Sequence, residues 1–168
     1  LSQNGLKTAL VEEAELGGTC LNRGCIPTKT LLHSADIYHD AKNGAPFGVS
    51  ADNVTFDYAK IIERKNAVSK QLSNGVAFLE KSHGVMVFAD HATLTDRQTV
   101  HLAGGEDLTC DHLIVATGSS PARIPIPGVD LPGVVDSTGL LNMTTCPKHI
   151  IIVGGGVIGV EFATFFYR

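Results

Sequence analysis

The segment that most constrains the fold is Ile150 to Phe166, IIIVGGGVIGVEFATFF. Four apolar residues, three glycines and a second apolar run read as a buried strand, a tight turn and the start of a helix. Gly154, Gly156 and Gly159 follow the spacing G-x-G-x-x-G, and Ala163 supplies a small residue where helix meets strand. A turn of this kind lets backbone amides at a helix N-terminus approach a pyrophosphate, so the spacing predicts a dinucleotide-binding βα unit. On its own the motif is also satisfied by an ordinary glycine-rich strand–helix turn.

A second fragment of the same kind lies at the start of the chain. Leu1 to Gly5 reads as the end of a helix stopped by Gly5. Thr8 to Val11 reads as a short strand, with Glu12 at its C-terminal end. Such an acid bonds a ribose hydroxyl about 20 residues past a Gly-rich turn, which places that turn before residue 1. Between these fragments, strands and helices alternate. Pro27 suits a first helical turn, and Leu31, Ala35 and Tyr38 continue a helical stripe to about Lys42. Asn43 to Ser50 reads as a loop. Tyr58, Ile61, Ile62, Val68, Leu72, Val76 and Leu79 predict a long amphipathic helix over 55–80, with a kink at Gly75. Val85–Phe88, Ala92–Leu94 and Thr99–Leu102 read as strands joined by turns at Asp96-Arg97 and Gly104-Gly105. Leu113 to Ala116 reads as a buried strand closed by Thr117-Gly118, and a Pro- and Gly-rich connector follows from Pro121 to Gly133. The expected class is α/β: a Rossmann-like domain over 1–147 with an antiparallel insertion at 85–102, and the first strand and helix of a second Rossmann-like domain over 148–168.

The chemistry concentrates in residues 17–29, GGTCLNRGCIPTK. Cys20 and Cys25 are five positions apart, a little over one helical turn, so a slightly distorted helix brings their Cα atoms within disulfide range. Strain in such a bridge eases its reduction, and a nearby helix N-terminus favours thiolate. A structural disulfide closing so short a loop stabilises little. A half zinc site lacks a second Cys/His pair at suitable spacing, and no metal ligand set is expected. Cys110 and Cys146 stand alone, so the four cysteines suggest a reducing compartment with one special pair.

This stretch resembles the active-site motif of the class I pyridine nucleotide–disulfide oxidoreductases. Leu21, Asn22, Arg23 and Ile26-Pro27-Thr28 are most similar to the dihydrolipoamide dehydrogenase branch. The resemblance extends to the strand ending in Glu12, Ala116-Thr117-Gly118, and GGGVIGVEFA at 154–163. It implies FAD and NAD as cofactors and dihydrolipoamide as substrate, free or on a lipoyl domain of a 2-oxo acid dehydrogenase or glycine cleavage complex. It implies that Cys20 exchanges with the dithiol and that Cys25 lies against the flavin. Lys29 then sits near the flavin edge, with Glu161 as its carboxylate partner. The implied FAD contacts are Glu12, Gly17, Gly18, Thr19, Cys20, Gly24, Cys25, Lys29, His91, Ala92, Ala116, Thr117 and Gly118. The implied NAD turn is Gly154, Gly156, Val157, Ile158 and Gly159, beside Glu161. A nicotinamide-dependent disulfide or mercuric reductase is the alternative direction of flow.

The resemblance also implies a homodimer whose partner supplies a His–Glu dyad from a C-terminal domain. None of His33, His39, His83, His101, His112 or His149 matches that dyad, and the second FAD-contacting segment has no counterpart here. The 168 residues alone are therefore expected to bind FAD weakly or not at all and not to turn over, as a truncated chain would. Composition agrees with a globular domain: 43% hydrophobic, 18% charged, net charge −4. No basic run suggests nucleic acid or a membrane surface, and no signal-peptide pattern opens the chain. The expected location is cytoplasmic, or the mitochondrial matrix in a eukaryote.

Overall fold

The computed structural model describes residues 1–168. The chain order is β1 (Ala9–Val11), α1 (Gly18–Arg23), α2 (Cys25–Asn43), α3 (Tyr58–Ser82), β2 (Met86–Phe88), β3 (Ala92–Leu94), β4 (Thr99–Leu102), β5 (Asp107–Thr109), α4 (Ser137–Leu141) and α5 (Val157–Tyr167). Two compact units result. One comprises Leu1–Gly18 and Gln71–Ser119, the other Thr19–Lys70 and Ser120–Arg168.

In the first unit β1 and β2 pair in parallel, with Val11 opposite Phe88. A parallel pair places both strand ends on one edge, so Glu12–Glu13 and Ala89–His91 emerge side by side. The Glu12 amide extends the ladder to the Phe88 carbonyl, at 3.0 Å. β3, β4 and β5 form a separate antiparallel sheet, with Leu94 opposite Val100 and Val100 opposite Leu108. Val100 and Leu102, two residues apart on one face of β4, are buried. The antiparallel insertion is therefore 92–109 rather than 85–102. Met86–Phe88 leaves it because its backbone finds β1, and β5 takes the outer position.

The second unit is helical. Leu31 and Ala35 of α2, Ile62 of α3, Leu140 and Leu141 of α4, and Phe162 and Phe165 of α5 form its core. α3 begins at Asp57, whose Oδ1 accepts the Lys60 amide at 3.1 Å. It runs unbroken through Gly75 and ends before Gly84 in the left-handed region. An isolated glycine costs about 1 kcal/mol in a helix without removing a hydrogen bond. α4 is capped by Asp136, whose Oδ1 accepts the Gly139 amide at 2.8 Å.

Two expected strands are not paired. Leu113–Ala116 and Ile150–Val153 form no ladder, and Ile114, Val115, Ile151 and Val153 stand exposed. Apolar, β-branched residues favour a strand only where a neighbour completes the hydrogen bonds, and neither run has such a neighbour.

Lys65 is buried among apolar side chains, 4% exposed, and its Nζ donates to the Leu141 carbonyl at 2.7 Å. The ammonium thereby satisfies a carbonyl at the C-terminus of α4, where a cation is favoured. Burial holds its pKa below the ordinary lysine value. The folded chain then releases this proton before the unfolded chain does, so its contribution to stability rises with pH between the two values. The stability of the wild type relative to Lys65→Met is expected to grow as pH is raised toward the ordinary lysine value, read from urea unfolding midpoints across that range. A pH-independent difference would show that the buried ammonium is not shifted.

Candidate active site

Gly24 separates α1 from α2, so the cysteines do not share one continuous helix as their spacing suggests. A Cβ at Gly24 would lie 3.2 Å from both the Cys20 Cα and the Thr19 carbonyl oxygen. A side chain there would press the two helices apart by a few tenths of an ångström, and glycine spares them that. Cys20 projects from α1, Cys25 is the first residue of α2, and they form a disulfide with Cα atoms 4.8 Å apart. Both cysteines are exposed.

The N-terminus of α2 has no side-chain cap, so its first amides present positive partial charge beside Cys25. Pro27 lies in this first turn, where a missing N–H costs nothing, and it is fully buried with Leu31. Thr28 and Thr30 donate their hydroxyls back to the Gly24 and Ile26 carbonyls, at 2.7 and 2.8 Å. Lys29 is one turn beyond Cys25 and on the same side of the helix. Its Nζ donates to Glu161 Oε1 of α5. The ammonium side chain is 60% exposed and the carboxylate 21%.

Glu161 is placed by packing. Phe162 and Phe165 point into the core shared with Leu31 and Ala35, and the neighbouring carboxylate comes to face Lys29. The turn before α5 adopts the expected glycine geometry. Gly154 has φ 112°, and Gly156 caps the helix without a side-chain bond. A Cβ at Gly159 would overlap the Gly154 carbonyl oxygen and reach 3.2 Å from Ile152 Cγ2. Around Gly155 and Gly156 the space is open. Val157 and Ile158 are exposed.

The first unit holds the other sequence candidates. Glu12 accepts the Ala14 amide at 2.9 Å. Gly17 and Gly18 have φ 109° and 72°, and Thr19 follows them as an exposed residue. The His91 amide donates to Asp90 and its carbonyl accepts from Ala103, at 2.7 and 3.0 Å. Ala92 opens β3. Ala116, Thr117 and Gly118 are exposed outside any helix or strand, with Gly118 at φ 70°. The structure thus gathers Cys20, Gly24, Cys25, Lys29 and Glu161 in one unit, and Glu12, His91 and Ala92 at one sheet edge in the other.

Sequence reasoning did not single out Glu13, Asp90, Lys65 or Asp136. Asp136 was the most accessible of these, since Asp before a Ser-Thr-Gly-Leu-Leu run has the form of a helix cap. The other three depend on partners 14 to 78 positions away, and no local pattern marks them.

Residues 1–168 match the family model described as pyridine nucleotide-disulphide oxidoreductase. The chain belongs to this family. The dihydrolipoyl dehydrogenase of Acholeplasma laidlawii is 51% identical over 170 residues, covering 98% of this chain and 50% of that protein. The dihydrolipoyl dehydrogenase of Chlorobaculum tepidum is 45% identical over 168 residues, covering 98% and 36%. Among solved structures, the HOCl-induced flavoprotein disulfide reductase RclA from Escherichia coli superposes with a TM-score of 0.84 at 36% identity, covering 98% of this chain and 35% of that one. The chain thus spans half or less of the length of these relatives.

The overlap at Gly159 makes a direct test of the α5 geometry. Gly159→Ala is expected to destabilise the fold by about 1–3 kcal/mol through overpacking, measured by denaturant unfolding. Unaltered stability would mean that the turn does not pack as described.

Proposed function

We propose that the protein is a flavin-dependent dithiol–disulfide oxidoreductase that oxidises dihydrolipoamide and reduces NAD. The observation that carries this reading is the exposed Cys20–Cys25 disulfide at the start of α2, one turn from the Lys29–Glu161 pair. The similarity to dihydrolipoyl dehydrogenases supports the substrate.

The residues present fit both cofactors. Glu12 stands at the C-terminal end of a parallel strand, where the ribose acid of a dinucleotide site belongs. Gly17 and Gly18 present backbone in the left-handed region, and a Cβ at Gly18 would meet nothing within 4 Å. On this reading FAD is held by Glu12, Gly17, Gly18, Thr19, His91, Ala92, Ala116, Thr117 and Gly118, with Cys20, Gly24, Cys25 and Lys29 toward its reactive end. NAD is held by the uncapped N-terminus of α5 through Gly154, Gly156, Val157, Ile158 and Gly159, beside Glu161. Residues 1–147 then serve the flavin, and residues 148–168 open the nicotinamide domain.

The protein's own steps are thiol–disulfide exchange. A substrate thiolate attacks Cys20 Sγ, the Cys20–Cys25 bond breaks, and Cys25 leaves as a thiolate. The first amides of α2 and the Lys29 ammonium stabilise that charge. The second substrate thiolate then attacks the substrate sulfur of the mixed disulfide and releases Cys20. The substrate departs as a disulfide, and its two electrons remain on the cysteine pair. FAD held beside Cys25 would supply a two-electron acceptor for the pair, and NAD at the α5 turn would supply the outgoing hydride carrier. Glu161 holds Lys29 beside the cysteines throughout.

One alternative is that a nicotinamide nucleotide drives reduction of a disulfide or of mercuric ion by the same pair; the similarity to RclA, a flavoprotein disulfide reductase, supports its disulfide form. A homodimer and a lipoyl domain of a 2-oxo acid dehydrogenase or glycine cleavage complex are the partners proposed. No helix is long and apolar enough to cross a membrane.

The test uses the full-length gene product. Cys20→Ser and Cys25→Ser are each expected to reduce dihydrolipoamide-dependent NAD reduction to below about 1% of wild type, since residues acting as a unit fail together. Either serine variant retaining more than about a tenth of the rate would sink the disulfide mechanism. A wild type active only from NADPH toward disulfides would select the alternative.

A further inference from the structure

The C-terminal edge of β1 and β2 carries a cross-link that the cysteine chemistry does not use. Glu13 Oε2 and His91 Nδ1 lie 2.6 Å apart, joining the segment after β1 to the segment before β3. The His91 segment is itself clamped. One Asp90 carboxylate accepts the His91 amide through Oδ1 at 2.7 Å and the Gly104 amide through Oδ2 at 2.9 Å. The His91 carbonyl accepts from Ala103 at 3.0 Å. Asp90 thus fixes His91 to the β4–β5 turn, and Glu13 is the side-chain bond that ties this assembly to the strand bearing Glu12.

We infer that Glu13 and His91 form a positioning pair that sets the spacing of the two strand-end segments receiving the adenosine half of FAD. The inference rests on the flavin reading above. In a parallel sheet a dinucleotide lies against the C-terminal strand ends. Here those ends are the residues after Val11 and after Phe88, which the register places opposite one another. Glu12 occupies the first end; its carboxylate bonds within its own turn, to Ala14, while its amide ends the ladder at Phe88. Its position relative to the second end therefore depends on the ladder and on the Glu13–His91 link. Both side chains of the link are 64% exposed, so the pair adds little to folding. On the flavin reading His91 meets the cofactor through its backbone alone and Glu13 does not meet it, so the pair's side chains act by spacing, and the chemical class selected is a flavin carrying an adenosine rather than a flavin mononucleotide.

The test is flavin binding by the full-length gene product stripped of its cofactor, read by fluorescence quenching with FAD and with FMN, beside the apoprotein Tm. Glu13→Gln and His91→Gln are each expected to raise the FAD Kd about threefold to fivefold, the effect of losing one exposed ion pair. FMN binding and apoprotein Tm stay at wild-type values. The double variant matches either single variant, and His91→Lys, which keeps a hydrogen-bond donor facing Glu13, stays near wild type. An unaltered FAD Kd, equal weakening of FAD and FMN, or a Tm loss in step with the Kd overturns the positioning role. A wild-type apoprotein that binds no FAD at all overturns the flavin reading itself.

Discussion

The contact between α2 and α5 is the constraint on which the candidate site depends. Leu31 and Ala35, four residues apart, form one stripe of α2, and Phe162 and Phe165, three apart, form the facing stripe of α5. Each fully buried large side chain contributes about 1.5–3 kcal/mol. The Lys29–Glu161 pair on the rim of this contact contributes at most about 1 kcal/mol, because the lysine is largely exposed. The order of cause is therefore packing first and charge second: the apolar stripes bring the helices together, and the ion pair is set by where they meet.

The same helix places one end of the disulfide. Gly24 ends α1 and starts α2, so Cys25 falls in the first turn of α2, where amides have no intrahelical partner. Cys20 falls in the first turn of α1, so both sulfurs of the bond stand near helix starts, on either side of one glycine.

Features that a single segment can specify were legible in the sequence. The Gly-rich turn, the cysteine pair, the helix over 58–82 and the β3–β4 hairpin each carry their own periodicity or turn residues. Features that need two segments were not. Leu113–Ala116 and Ile150–Val153 have the composition of strands, yet a strand is half of an interaction and these lack the other half. Met86–Phe88 reads the same whether it pairs with a neighbour in sequence or with β1, and only the register resolves it. α4, at five residues, is too short to show a helical period. Lys29 and Glu161 were paired correctly because the family resemblance named them together. Glu13 and His91 had no such guide, and a surface acid and a loop histidine are unremarkable apart.

The two unpaired apolar runs have a practical consequence. Ile151 is 91% exposed and Val153 71%, and the run has no ladder partner. Such a segment offers a row of open donors and acceptors to any other extended chain, including a second copy of itself. Exposed apolar runs of this kind are the places where β-pairing between chains is expected to begin.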